Sequence, residues 1–285
     1  MQSAEGCDDL VFDIGFHTGQ DTDFYLALGY RVVAFEANPD LIAAGKGRFA
    51  SAISDGKLHI VEGAICGTRG GPAEISFYLN PKNSEWGTIS PAFDQRNSTS
   101  YGADSLETRV PLVPIQDVIA QYGVPAFAKI DVEGVDLEVL SAFADFSIKP
   151  EYVSIEAEAL KFDDLVAEMQ VLQSLGYQSF QIVQQRTIPG TTLTTTDRSG
   201  AKLSYTFPKS TSGPFGRHLD GRWISFDEAL QRHGELFEAY RRWGPNSALN
   251  RLVGRKPIAA LQLLVRRPLP GWYDTHARLQ PPDPQ

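Results

Sequence analysis

Residues 10–22 read LVFDIGFHTGQDT, a run of strand-forming residues that ends in Asp13-x-Gly15-x-x-x-Gly19 and leads into a helical pattern. In a doubly wound sheet the ligand lies beyond the carboxyl ends of the strands, so this first turn is where binding chemistry is expected. A dinucleotide wants G-x-G-x-x-G there, because its pyrophosphate must approach bare backbone. Here His17 takes the middle glycine's place, and Thr18 or Gln20 the third. The turn that survives suits a nucleoside without phosphates, and S-adenosylmethionine is such a ligand. Glu36 ends the second strand-like run about 20 residues on, where an acidic side chain accepts from ribose hydroxyls. Thr22, at the close of the stretch, is grouped with Asp13, Gly15, His17 and Gly19 as cofactor-binding. The plainer alternative is that the glycines serve only the turn.

A second group of chemistry-bearing residues is Asp131 and Glu133 in AKIDVEG. A carboxylate beside a hydroxyl acceptor could take its proton during group transfer. Strand alternation sends the two side chains to opposite faces, so one of them is expected at the substrate. Asp131 is preferred, against the alternative that it caps the following helix. Glu156 and Glu158 are further candidates, or a solvated strand end. Of the five histidines, His17 sits in the turn and His276 in WYDTHARL. Each is a candidate base near neutral pH, against a structural role. The chain shows no metal-ligand spacing, and no metal is expected.

The elements that must position these groups alternate strand and helix. LVFDIG, RVVAFEANP and KLHIVEGAI read as strands with helices between them, which implies a parallel sheet covered on both faces. AEISFYLN alternates like an antiparallel strand, and a long polar excursion follows over 80–107. Regular alternation returns with AFAKIDVEG, EYVSIEAE and YQSFQIVQQ. The doubly wound core is assigned to residues 1–185 and a C-terminal extension to 186–285. Ser225 and Glu228 form a capping box that opens a helix in the extension. KLSYTFP and IAALQLLVRR both remain candidates for the last strand. The first strand comes almost at once, so substrate contacts are expected from the excursion and the extension. Trp86, Trp272 and His276 would then form an aromatic and polar wall, or the tryptophans would bury themselves in the extension's own core.

Composition bounds the function. The chain has 285 residues, 42% of them hydrophobic, and a net charge of -9. That balance argues against a general nucleic-acid binder. Two cysteines without paired spacing read as buried reduced thiols. No leader pattern and no apolar run of membrane-spanning length occurs, so a cytoplasmic protein without a membrane partner is expected. A homo-oligomer is compatible with all of this.

Taken together, FDIGFHTGQDT, VVAFEANP, VEGAICG, the hairpin around ISFYLN, VPLVPIQDVI and above all AKIDVEGVDLEVL resemble the FkbM family of S-adenosylmethionine-dependent methyltransferases. SGPFG and WYDTHARL are similar to tail pieces of one branch of that family. Many members carry Asn in the position of His17. The resemblance implies a class I methyltransferase, Rossmann-like fold with a mostly parallel seven-stranded sheet, acting mostly on hydroxyl oxygens. It places Asp13, Gly15 and Gly19 at the cofactor turn, Glu36 at the ribose, Ala64 and Ile65 beside the adenine, and Asp131 and Glu133 at the reaction centre. The expected activity is O-methylation of a small hydroxylated acceptor, a sugar or secondary metabolite. An NAD-linked oxidoreductase and a non-catalytic binding protein on the same scaffold are the alternatives.

Overall fold

The computed structural model describes residue 2 and residues 4–101, 105–157, 162–243 and 272–283. In chain order the core opens with β1 (Gly6–Ile14), α1 (Gln20–Ala27), β2 (Arg31–Glu36), α2 (Pro39–Arg48), α3 (Ala50–Ser54) and β3 (Leu58–Glu62). The start of α2 is built from two local signals. Asn38 accepts from the Asp40 N–H at 3.0 Å, and Pro39 occupies the first turn, where its missing N–H costs nothing. The excursion comprises β4 (Ala64–Cys66), β5 (Glu74–Leu79), α4 (Pro91–Tyr101) and β6 (Leu106–Pro114). β6 pairs antiparallel with β5, as the alternation of AEISFYLN implied, and parallel with β4.

The core resumes with α5 (Ile115–Tyr122), β7 (Val124–Ile130), α6 (Asp136–Ser141), β8 (Tyr152–Glu156), α7 (Phe162–Ser174) and β9 (Ser179–Gln184). The extension adds the hairpin β10 (Thr192–Thr196) and β11 (Lys202–Thr206), then α8 (Phe226–Trp243) and β12 (Tyr273–Arg278). α8 begins at the expected capping box, where the Glu228 N–H donates to Ser225 Oγ and the Ser225 N–H to Glu228 Oε2. No helix among the described residues is long and apolar enough to cross a membrane.

The main sheet has seven strands in the order β3-β2-β1-β7-β8-β12-β9. Every neighbouring pair is parallel except those made by β12, which runs antiparallel between β8 and β9. This is the doubly wound class I methyltransferase fold that the resemblance implied. Neither expected last strand fills that place. KLSYTFP forms β11 in the separate hairpin, and IAALQLLVRR lies outside the described residues. β12 escaped the hydrophobic pattern because Asp274, Thr275 and His276 are polar yet buried between two strands.

Strand alternation divides the core. One face of the sheet turns Phe12, Val33, Ile130 and Ile155 towards α5, α6 and α7. The other turns Val11, Val32 and Phe127 towards α1, α2 and the extension. Phe215, from SGPFG, stacks flat on Phe127 with ring centroids 4.1 Å apart and touches Phe24, Tyr25 and Tyr30 edge-on or tilted. Through this ring the extension is bonded into the core of the sheet. Phe215→Ala should therefore cost about 3–5 kcal/mol of stability, read as a lower urea midpoint with an unchanged slope. A loss below about 1 kcal/mol would show that the extension packs independently of the sheet.

Candidate active site

The turn after β1 is shaped by the close approach of two strand ends. The Asp131 N–H donates to Ile14 O at 2.9 Å, and a Cβ on Gly15 would lie 1.9 Å from Asp131 O. Gly15 also has φ +94°, so only glycine fits. His17 follows at φ +51°, in the left-handed region where Asn, Asp and His are over-represented. That preference accounts physically for histidine or asparagine at this place. The His17 backbone N–H donates to Glu36 Oε2 at 2.8 Å, while those of Ala37 and Asn38 donate to Oε1 at 3.0 and 2.8 Å. One acceptor position on Oε2 is left for a further donor. Burial raises the Glu36 carboxyl to about 7, against the opposing pull of the three N–H groups. The His17 ring is tied across to the excursion, with Nε2 2.8 Å from Ser84 Oγ.

Beneath the turn lies Lys129, 4% exposed. Its Nζ donates to Gly15 O at 3.1 Å and faces Asp131 at 3.2 Å, Asp21 at 3.5 Å and Asp13 at 3.6 Å. Burial alone would lower the lysine, but the three carboxylates hold it well above its ordinary value. Burial pushes Asp13 up to about 6 even with Lys129 beside it. Thr22 Oγ1 donates to Asp13 Oδ2 at 2.6 Å, and Thr211 Oγ1 to Asp21 Oδ1 at 2.6 Å. One buried cation thus binds the ends of β1 and β7, the start of α1 and a loop of the extension.

A cavity of 380 Å³ opens above this cluster at the carboxyl ends of the parallel strands. Gly15, His17, Glu36, Ala64, Ile65, Asp131 and Glu133 all line it. Asp131 and Glu133 both face it because β7 ends at Ile130, so strand alternation no longer separates them. Asp131 caps no helix; Asp136 instead accepts from the Val132 N–H at 2.8 Å. Trp86 and Trp272 are on the wall as expected, Trp272 largely exposed.

Four expected site residues lie elsewhere. Asp13 and Thr22 are buried under the turn, bonded to each other and facing Lys129 rather than the cavity. A Cβ on Gly19 would strike the Phe49 and Phe16 rings at 2.5 and 2.7 Å, so that glycine serves packing. His276 is buried inside β12, where desolvation lowers it to about 3. Glu158 lies outside the described residues. Sequence reasoning missed Lys129, Asp21 and Asp274, which are all on the wall. Asp274 shares the WYDTHARL run and the strand face of His276, two places nearer the strand's open end. Among the described residues no three His, Cys, Asp or Glu side chains are grouped to hold a metal.

Residues 13–179 match the methyltransferase FkbM domain. The chain belongs to the FkbM methyltransferase family. Its cofactor is S-adenosylmethionine, and the oxidoreductase alternative falls away. Among solved structures, the FkbM methyltransferase of Methylobacillus flagellatus KT is 17% identical over 63% of this chain and 40% of that one, with a TM-score of 0.38. A SAM-dependent methyltransferase of Geobacter sulfurreducens, in complex with S-adenosyl-L-homocysteine, is 9% identical over 96% and 85%, with a TM-score of 0.35. Precorrin 8w decarboxylase of Methanobacterium thermoautotrophicum is 14% identical over 71% and 79%, also with a TM-score of 0.35. No curated protein matches the chain.

In this FkbM domain Lys129→Met would leave Asp13, Asp21 and Asp131 without their shared cation. Stability near neutral pH should fall by about 3–5 kcal/mol. Without the lysine the folded-state pKa of Asp13 rises further above its ordinary 3.8, so part of the loss should be regained as pH falls from about 7 through 6. Urea titrations of both proteins at several pH values would measure this. A deficit independent of pH would show that the lysine acts through packing instead.

Proposed function

We propose that this FkbM methyltransferase moves the methyl group of S-adenosylmethionine to a hydroxyl oxygen of a small molecule, a sugar or secondary metabolite. The observation that carries the reading is one continuous cavity whose wall holds both Glu36 and Asp131. Glu36 has an acceptor position open and is fixed by three backbone donors, which fits a ribose hydroxyl. Gly15, His17, Ala64 and Ile65 line the same cavity, whose volume is in the range of small-molecule sites. When bound, the cofactor supplies an electrophilic methyl carbon on a sulfonium.

In this reading the protein's part is positioning and proton handling, because an in-line displacement gains most of its rate from alignment. Asp131, oriented by Lys129 at 3.2 Å and half-exposed to the cavity, accepts the proton of the acceptor hydroxyl. Glu133 lies beside it on the wall and completes the acidic rim. His17 contributes its backbone N–H to the cofactor end, and its ring holds the excursion through Ser84. His276 is assigned no part in catalysis. The extension from residue 186 covers the acceptor side, a reading supported by Arg186, Thr211, Trp272 and Asp274 on the wall.

Two measurements test the reading. Glu36→Gln should weaken S-adenosylhomocysteine binding by about 1.5–3 kcal/mol in calorimetry. A ribose donor favours the charged carboxyl, so wild-type affinity should rise with pH through about 7 and that component should vanish in the variant. An unchanged dissociation constant would remove Glu36 from the ribose. Incubation with methyl-labelled S-adenosylmethionine and a panel of hydroxylated acceptors should give a methyl ether, with Asp131→Asn about 10²–10³-fold slower at unchanged cofactor affinity. Label found on nitrogen or carbon would overturn the oxygen assignment.

A further inference from the structure

The far side of the cavity carries polar groups that make no hydrogen bond or ion pair among the described residues. Asp274 is 6% exposed and on the cavity wall, yet no hydrogen bond or ion pair reaches its carboxylate from the described residues. Its ladder neighbour Glu156 is on the same wall and in the same situation. Gln185, next along the wall, has both its amide oxygen and its amide nitrogen buried without a partner. Among the described residues the cation that acts on Asp274 is Lys129, which makes its ion pairs with other carboxylates. Lys129 is shared among Asp13, Asp21 and Asp131, and Arg186 pairs with neither Glu156 nor Asp274.

We propose that Asp274, Glu156 and Gln185 form a subsite for the ammonium group of an amine-bearing hydroxylated acceptor, an aminosugar or amino alcohol, whose hydroxyl then faces Asp131. The inference rests on the methyl-transfer reading and names its substrate class. Two facing carboxylates without donors fit a ligand that brings only donors, and an ammonium brings three. It also brings the charge that makes burying two carboxylates favourable. Burial, reinforced by the Asp131 charge, raises both groups well above the ordinary carboxylate range, a cost that a bound cation removes. Gln185 supplies one donor and one acceptor for a neighbouring hydroxyl, and the exposed face of Trp272 at the rim suits a sugar ring.

The cofactor's own amino group is the competing occupant, and the S-adenosylhomocysteine affinity of the Asp274 variant separates the two.

The test uses the full chain saturated with S-adenosylhomocysteine and titrated with glucosamine, N-acetylglucosamine and glucose, followed by ligand-observed NMR and calorimetry. Glucosamine should bind at least about tenfold more tightly than its N-acetyl form or glucose. Asp274→Asn and Glu156→Gln should each erase that preference while S-adenosylhomocysteine affinity stays within about twofold. Circular dichroism checks the fold of both variants, and should one fail to fold the other decides. Equal binding of the three sugars, or none, overturns the subsite, and loss of S-adenosylhomocysteine affinity in Asp274→Asn reassigns that carboxylate to the cofactor. Failure of the unmodified chain to bind S-adenosylhomocysteine would sink the underlying reading instead.

Discussion

One buried ammonium holds the site together. Lys129 is placed by β7 where the ends of two parallel strands meet, and the three aspartates around it come from β1, α1 and the end of β7. Its hydrogen bond to Gly15 O anchors the turn that leads to His17 and Glu36. A buried lysine among apolar residues would be expelled or neutralised; among three carboxylates it stays charged. The same arrangement keeps Asp13 and Asp21 from being unpaired charges inside the fold. Position and charge at the cavity floor are thus set by one interaction, and Asp131 is the most exposed member of a cluster whose Lys129 and Asp21 also line the cavity.

The walls come from parts of the chain far apart in sequence. The excursion between β3 and α5 brings Ser84 and Trp86 over the cofactor turn, tied down by the His17 ring. The extension returns to the sheet through Phe215 and β12, and brings Thr211, Trp272 and Asp274 to the other side. Thr211 joins the lysine cluster through Asp21, so the extension is bonded to the floor as well as covering it.

Much of the fold was legible in the residues because central strands such as β1, β2 and β7 carry apolar runs and two helices carry local start signals, Asn38-Pro39 and Ser225 with Glu228. The turn at Gly15 and the carboxylate of Glu36 drew attention through their spacing after a strand, although what fixes Gly15 is the approach of Asp131 from the end of β7. β12 was not, because a strand with both neighbours in place can bury Asp274, Thr275 and His276, and polarity then misleads. Lys129 was passed over because a lone lysine in a strand reads as solvent-facing, and its partners lie more than a hundred residues away in two cases. His276 was singled out on residue type alone and Asp274 was not considered, whereas depth in the sheet decides which of the two meets the cavity. Asp13, Gly19 and Thr22 drew attention as parts of a binding motif, and they serve it by shaping the turn from below.

The central claim is that one cavity at the carboxyl ends of the strands holds the cofactor against Glu36 and presents its reactive end to Asp131. A crystal structure of the chain with S-adenosylhomocysteine tests it most directly. The account predicts the ribose hydroxyls at Glu36 Oε2, the adenine beside Ala64 and Ile65, and the sulfur turned towards Asp131, with Asp274 left open to the acceptor. A ligand seated elsewhere, or one whose ribose ignores Glu36 while its sulfur faces away from Asp131, would contradict it.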